Sequence, residues 1–317
     1  MLLDDLLARR LIILSGKGGV GKSVVGAALA FAAHARGKRV LLVEVDAPLE
    51  ASRILGGPPS RGRETELRPG LFAVNLDPAG VMDEYVRHLV KVDVLARRIL
   101  ESPLYRRFFA AAPGLRELMV LGKILVLEEA RAGLSRRPAW DLIVLDAPAT
   151  GHGLAFLKVP LAASRAVPVG PVGRNARRVL RLIQDEKRTA LVVVALPEEM
   201  AVVEALEFHR LAKDELDMHT AAVVLNGCHE RRFRDEEEAE ILRLSASGRD
   251  GEIEPGVPLS AALRAARRHI RKSRLTRFYQ RRLKRSLPVP LLSLPHLFRD
   301  GLGGADLEEL ARRLEAA

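Results

Sequence analysis

Residues 11–23, with the sequence LIILSGKGGVGKS, constrain the fold of this chain more than any other segment. Four apolar residues lead into a glycine-rich loop, and the loop ends at Lys22 and Ser23, where a helical pattern begins. Residues 16–23 fit the pattern G-x-x-x-x-G-K-[ST] in the strand–loop–helix context that it requires. The sequence therefore predicts a buried strand that places a phosphate-binding loop at the start of a helix.

Each residue type in this loop suits phosphate binding. Glycines permit positive φ and let successive backbone N–H groups approach an anion. Lys22 is predicted to bridge phosphate oxygens and Ser23 to bind Mg²⁺. The predicted nucleotide-binding residues of the loop are Gly16, Gly18, Gly19, Val20, Gly21, Lys22, Ser23 and Val24.

Lys17 is a second lysine inside the same loop. From the outer rim of the loop, its side chain would point away from phosphates bound by its own chain. It could reach phosphates bound by a facing subunit, where a cation stabilises charge on the transferred phosphoryl group. Lys17 is therefore assigned a catalytic role in a dimer, and the alternative is a solvated lysine.

Apolar, β-branched runs recur along the whole chain. They cover 10–15, 39–45, 141–146 and 190–196, with shorter candidates at 221–226 and 289–294. Continuous rather than alternating apolar strands are typical of a parallel sheet that is buried on both faces. Helical patterns such as 22–36 and 198–214 separate them, so the sequence predicts a doubly wound α/β fold with a mostly parallel sheet.

One connection is too long for a plain crossover helix. Residues 76–138 are helical by pattern and predict an inserted helical subdomain within a single domain over 1–317. The part over 118–127 is apolar nearly all round, which suits the core, a dimer interface or a client site. The segment 55–70, rich in Gly, Pro and charge, predicts a mobile surface loop.

Composition limits the class of protein. The chain has 317 residues, one cysteine and a net charge of +11, and the longest apolar stretches are interrupted by lysines and glycines. A lone cysteine and the lack of a membrane-spanning run favour a cytoplasmic protein. The positive charge suits anionic partners, although a coding bias toward arginine would also produce it.

Asp146 ends the apolar run of WDLIVLDAPATGHGLAFL (140–157), where a carboxylate can hold Mg²⁺ through water. Asp46 follows the apolar run 39–45. In a hydrolytic site this carboxylate could orient a water that attacks the phosphate, or it could merely cap the following segment. Asn226 ends a third run, AVVLNG.

The sequence KGGVGKS resembles the deviant Walker A signature of a class of P-loop ATPases. That class includes the ParA/MinD positioning proteins, the nitrogenase iron protein, and the ArsA-type and tail-anchor-targeting ATPases, whose members dimerise around nucleotide. The segment 146–152 is similar to the D-T-A-P-T-G-H segment of the ArsA-type ATPases. The resemblance implies a γ-phosphate switch made of Asp46, Asp146, Thr150, Gly151 and His152, although His152 could instead pack locally.

The resemblance also implies ATP and Mg²⁺ as cofactors, with Asn226 on the adenine edge. The sequence departs from the family at APLE after Asp46, and it lacks the cysteine clusters of metalloid-binding and zinc-bridged members. Cys228 and His229 are predicted to be a buried thiol and a surface histidine, so no structural zinc is expected.

The function expected from this resemblance is an ATP-driven dimer cycle, in a homodimer or a heterodimer with a related ATPase. This cycle would act on a membrane-protein client or transporter.

The segment 259–287 carries eleven Lys and Arg residues and no acid. An apolar stripe predicts that it is a helix packed on the body with a cationic outer face. The alternative function is therefore a ParA/MinD-like ATPase that binds DNA or anionic membrane through this helix; a solvated surface is the third possibility.

Overall fold

The computed structural model describes most of the chain. The described residues are 2–45, 50–58, 60, 62–90, 92–103, 105, 107, 114–133, 136–148, 153–247, 251–254, 257–299 and 301–315. The described strands are β1 (Leu11–Ser15), β2 (Val40–Val45), β3 (Thr65–Arg68), β4 (Leu71–Leu76), β5 (Leu142–Asp146), β6 (Thr189–Ala195), β7 (Thr220–Cys228), β8 (Glu252–Glu254), β9 (Val257–Pro258) and β10 (Leu291–Pro295).

Helices follow most of these strands. They are α1 (Leu2–Leu7), α2 (Lys22–Ala35), α3 (Glu50–Ile54), α4 (Pro78–Val90), α5 (Asp93–Glu101), α6 (Leu115–Glu129), α7 (Gly153–Ala166), α8 (Gly170–Gln184), α9 (Glu199–Leu216), α10 (Asp235–Ala246), α11 (Leu259–Ser286) and α12 (Gly304–Glu315). Within the described residues, no helix is both long enough and apolar enough to cross a bilayer.

Eight strands form one sheet in the order β10-β7-β6-β1-β5-β2-β4-β3. All neighbours are parallel except β3, which pairs antiparallel with β4 at the edge. The six apolar runs in the sequence become β1, β2, β5, β6, β7 and β10, so the predicted α/β fold with a mostly parallel sheet is confirmed. This is the P-loop NTPase arrangement, with β1 at the centre.

The strands β3 and β4 were not predicted. Residues 65–68 lie in the segment expected to be a mobile loop, and they instead extend the sheet beyond β4. That expectation was wrong there because a short edge strand with alternating charge buries few side chains and lacks the continuous apolar pattern of the central strands.

Helices cover both faces of the sheet. On one face α2, α9, α11 and α12 pack over the even-numbered side chains of β1, including Ile12 and Leu14. On the other face α4, α6, α7 and α8 pack over Leu11 and Ile13.

The run 118–127 forms most of α6, and eight of its ten residues are buried, which confirms its place in the core. The division into a body and an inserted subdomain over 76–138 stays a prediction.

At the amino ends of β1 and β6, one buried carboxylate joins two strands to α6. Glu128 is 3% exposed and accepts hydrogen bonds from Arg10, at 2.8 Å from Nε, and from Arg188. Arg10 and Arg188 directly precede β1 and β6. These bonds lower the pKa of Glu128 although its burial acts in the opposite direction.

Candidate functional site

The loop between β1 and α2 depends on glycines at particular positions. Gly16, Gly19 and Gly21 have φ of 142°, 82° and 86°. A Cβ atom at Gly16 would lie 2.3 Å from the Val194 carbonyl oxygen, and one at Gly21 would lie 2.2 Å from the Asn226 side-chain nitrogen. Gly18, which the sequence also predicted to use positive φ, is not among the positive-φ glycines. The loop therefore needs glycine for conformation and for close approach to β6 and β7.

Lys22 is the first residue of α2, and its side chain is buried, with 6% exposure. Its ammonium donates to the carbonyl oxygens of Gly16, at 3.2 Å, and Lys17, at 3.1 Å. Burial lowers its pKa, and the charge of Asp146 acts in the opposite direction. The ammonium is thus held across the mouth of the loop by two carbonyl groups of the loop itself, where an anion seated in the loop would meet it.

Ser23 and Asp146 bring the helix start and the end of β5 together. Ser23 Oγ donates a hydrogen bond of 2.6 Å to Asp146 Oδ2. Asp146 is 6% exposed, and its Oδ1 is buried without a hydrogen-bond partner among the described residues. Desolvation raises the pKa of Asp146 to about 6, with a smaller raising effect from Glu44, against the lowering effects of Ser23 and Lys22.

Glu44 is a site residue that the sequence did not single out. It is fully buried in β2, it pairs in register with Asp146 across β2 and β5, and it accepts a 2.6 Å hydrogen bond from Ser52 Oγ. Its signal in the sequence is an acid inside the apolar strand VLLVEV. Two neighbouring carboxyl groups at the end of the sheet concentrate negative charge beside the loop, which suits a divalent cation.

The residues present fit a magnesium–nucleotide complex. The hydroxyl of Ser23 is an oxygen ligand of the kind that Mg²⁺ prefers. The Oδ1 of Asp146, which has no partner among the described residues, can accept a hydrogen bond from a water bound to the metal. The positive-φ glycines and the start of α2 suit phosphate oxygens. Elsewhere, the described residues contain no group of three or more His, Cys, Asp or Glu side chains arranged to hold a metal ion.

Lys17 lies on the outer rim of the loop, with 41% of its side chain exposed. Its ammonium is 2.7 Å from a carboxylate oxygen of Glu204 on α9. In the single chain the lysine is therefore directed along its own surface. Glu204 was not predicted, because nothing in a helix sequence shows that a side chain will reach a loop that is 187 residues away.

Asn226 ties β7 to the loop, since its side-chain nitrogen donates to the Val20 carbonyl oxygen at 3.0 Å. Val20 is buried and Val24 is half-buried beside it. The structure thus brings Asn226 to the phosphate loop, while its contact with adenine stays a prediction. Asp46, Thr150, Gly151 and His152 lie outside the described residues.

Cys228 is buried, as predicted, and burial raises the pKa of its thiol to about 11. The prediction for His229 was wrong, because this residue is 6% exposed. Its ring stacks on His296 with 4.6 Å between the centroids. Burial, together with the nearby basic groups, lowers the pKa of His229 to about 4. The histidine is covered because α11 and the segment after β10 cross the end of β7.

Comparison with known proteins gives the family. A family model described as "Anion-transporting ATPase", that of the ArsA ATPases, matches residues 9–169, half of the chain. The ATPase BagA of Mycobacterium tuberculosis is 33% identical over 223 residues, covering 68% of this chain and 65% of BagA. The arsenical pump-driving ATPase of Escherichia coli is 28% identical over 214 residues, covering 65% of this chain and 33% of the pump ATPase. The alignments thus span less than two thirds of either relative. With the loop and Asp146 inside the matched range, this chain belongs to the ArsA ATPase family.

Proposed function

We propose that the chain is a Mg²⁺-dependent ATPase that hydrolyses ATP to ADP and phosphate in a face-to-face dimer. The observation that carries the proposal is the convergence of the glycine loop, Lys22, Ser23 and the orphaned carboxylate oxygen of Asp146 at one end of the sheet. The names of the relatives, which include an ATPase and an arsenical pump-driving ATPase, support ATP as the substrate.

Each residue of the site has a distinct role in this proposal. Loop amides and Lys22 bind the phosphates, and the Lys22 ammonium exchanges its bonds to Gly16 and Lys17 for bonds to phosphate oxygens. Ser23, and Asp146 through a water, would hold Mg²⁺, which would neutralise charge on the phosphates. Asp46 positions the attacking water, and Thr150, Gly151 and His152 respond to the γ-phosphate.

Lys17 acts on the nucleotide of the facing subunit in this proposal. To do so it must leave Glu204, and an ion pair between two side chains that are each about 40% exposed contributes at most about 1 kcal/mol. Leaving Glu204 therefore costs Lys17 little free energy when a facing subunit presents phosphate. Closure by ATP and opening after hydrolysis would release or move a protein client or a transport partner in the cytoplasm.

The first experiment separates binding from catalysis. Lys22→Ala should weaken ATP binding by about 100-fold or more, since hydrogen bonds to charged groups contribute about 1.5–3 kcal/mol each. Lys213→Ala, an exposed lysine on α9, is the matched control and should bind ATP normally. Titration calorimetry measures both, and wild-type affinity in Lys22→Ala would refute the assignment of the loop.

The second experiment tests the dimer. Lys17→Ala should lower hydrolysis far more than ATP binding, and Asp46→Asn should bind ATP yet turn over slowly. Mixing Lys17→Ala with Lys22→Ala should restore part of the activity, because one mixed site then has both lysines. Failure of every mixture to exceed the two separate variants would contradict a role for Lys17 between subunits.

A further inference from the structure

A groove lies between α10 and α11, and none of its lining residues belongs to the candidate nucleotide site. It has a volume of about 900 Å³, and its exposed apolar lining consists of Leu242 of α10 with Leu275 and Phe278 of α11. Leu275 is 40% exposed and Phe278 is 52% exposed. An apolar floor of this kind lacks a partner within the described part of the chain.

Arginines form the walls of the same groove. Arg264, Arg267, Arg268, Arg271 and Arg274 line it. Arg274 stabilises the fold, because its guanidinium donates hydrogen bonds of 2.7 and 2.9 Å to the buried carboxylate of Glu238. The other four form no ion pair with any described residue. Around its apolar side chains the groove therefore presents four positive charges that have no acidic partner among the described residues.

The spacing of these residues gives the groove a length. Arg264, Arg268, Arg271, Leu275 and Phe278 follow one another at intervals of three or four, so they share one face of α11. At 1.5 Å per residue, this face extends for about 21 Å, or four helical turns. The opposite face, with Ile270, Ser273, Thr276, Tyr279 and Leu283, is buried against the body.

We propose that this groove binds an acidic amphipathic helix of a protein partner. Apolar anchors of such a helix, spaced three and four residues apart, would pack on Leu242, Leu275 and Phe278, and its flanking Asp or Glu side chains would pair with the free arginines. This partner site is independent of the proposed ATP hydrolysis, since none of its residues belongs to the nucleotide site.

The shape and composition of the groove favour a helix over other anionic partners. A bilayer is entered by apolar side chains that protrude beyond the charged ones, whereas the apolar side chains here line a groove together with five arginines. A single-stranded nucleic acid is bound by cations together with stacking rings, and Phe278 is the only ring among the described lining residues. A duplex is bound through its phosphates by cations alone, and it would leave the apolar side chains of the groove uncovered. A concave apolar floor with a cationic rim matches the two faces of an acidic amphipathic helix.

The probe is a fluorescein-labelled synthetic peptide of about four helical turns, with leucines at three- and four-residue spacing and glutamates beside them. A second peptide has the same composition in an order that forms no apolar face. Anisotropy at about 0.15 M salt should show that the wild-type chain binds the first peptide at least about tenfold more tightly than the second.

Matched variants locate the site. Arg267→Gln with Arg271→Gln should weaken binding by about tenfold or more, while Arg281→Gln with Arg285→Gln, which removes the same charge farther along α11, should change it less than about twofold. Leu275→Ser with Phe278→Ser should also weaken binding, and Val167→Ser with Val169→Ser, at exposed positions elsewhere, should not. ATP binding should be unchanged in all of them, which keeps this test separate from that of the nucleotide site.

Four results would overturn the inference. Equal losses in the two arginine pairs, or equal binding of the two peptides, would mean that net charge alone attracts the probe. Binding to phosphatidylglycerol vesicles that is lost in the groove variants, without peptide binding, would assign the groove to a membrane. The same pattern with double-stranded DNA would assign it to nucleic acid.

Discussion

The buried carboxylates at the two ends of the central sheet differ in their hydrogen-bond partners and in the direction of their pKa shifts. At the amino ends of β1 and β6, Glu128 is enclosed by two guanidinium groups, and its pKa is lowered. At the carboxyl end of β5, Asp146 accepts one hydrogen bond from a hydroxyl, its other oxygen has no partner among the described residues, and its pKa is raised to about 6. A carboxylate that serves only the fold is fully paired, whereas the one at the candidate site is left incomplete, at a cost in stability.

The two acids should therefore give opposite dependence of stability on pH. Glu128, with a lowered pKa, contributes stability that is present above its unfolded pKa of about 4.5 and lost as the pH falls through its folded pKa. Asp146, with a raised pKa, contributes stability that is present below 3.8 and lost as the pH rises through about 6.

The largest expected effect is on the paired acid. Glu128→Ala leaves Arg10 and Arg188 without their shared partner and should lower the free energy of unfolding by about 3–5 kcal/mol. Its neighbour Glu129 makes a surface pair with Arg178 at 2.5 Å, so Glu129→Ala should cost less than about 1 kcal/mol. Urea denaturation measures both variants, and equal losses would erase the distinction between a buried pair and a surface pair.

The unpaired acid should respond in the opposite direction. Asp146→Asn removes a buried charge whose pKa is raised from 3.8 to about 6, so the nucleotide-free protein should gain up to about 3 kcal/mol at pH 8. The gain should disappear below about pH 4, where Asp146 is protonated in both states. Denaturation curves at pH 8 and pH 4 test this, and a variant that is destabilised at pH 8 would show that the carboxylate is satisfied.

A smaller effect is expected on cation binding. We expect that Asp146 must be ionised to hold Mg²⁺. The factor by which Mg²⁺ increases ATP affinity should then fall by about tenfold between pH 7 and pH 5, because pH 5 is one unit below the raised pKa of Asp146. Titrations with and without the metal at each pH measure this gain. An unchanged gain at pH 5 would show that Mg²⁺ binding does not depend on ionised Asp146.

The smallest expected effect is on the rim of the loop. Glu204→Gln frees Lys17 from a half-exposed ion pair and should change stability by less than about 1 kcal/mol. In the proposed dimer the freed lysine should raise turnover modestly at low protein concentration, because one competing partner is gone. Lower turnover in this variant would assign Glu204 a catalytic role instead.

The sequence predicted what depends on local pattern. Continuous apolar runs located the central strands, and the glycine pattern with Lys22 and Ser23 located the loop, because each signal lies within a few consecutive residues. Asp146 was found because it ends a strand. Side chains that meet through tertiary packing were missed: Glu44 lies one strand away from Asp146, and Glu204 reaches Lys17 across the surface. His229 was misplaced for the same reason, since distant segments cover it.

The most direct test of the account measures heat unfolding of the wild-type chain and of Asp146→Asn with ATP, in the presence of Mg²⁺ and in the presence of a chelator. The account predicts that Mg²⁺ adds to the ATP-induced rise in Tm of the wild-type protein. It also predicts that the variant starts from a higher Tm and gains nothing from the metal. A variant that starts lower and keeps the full Mg²⁺-dependent rise would contradict the claim that Asp146 is left unpaired to hold a cation.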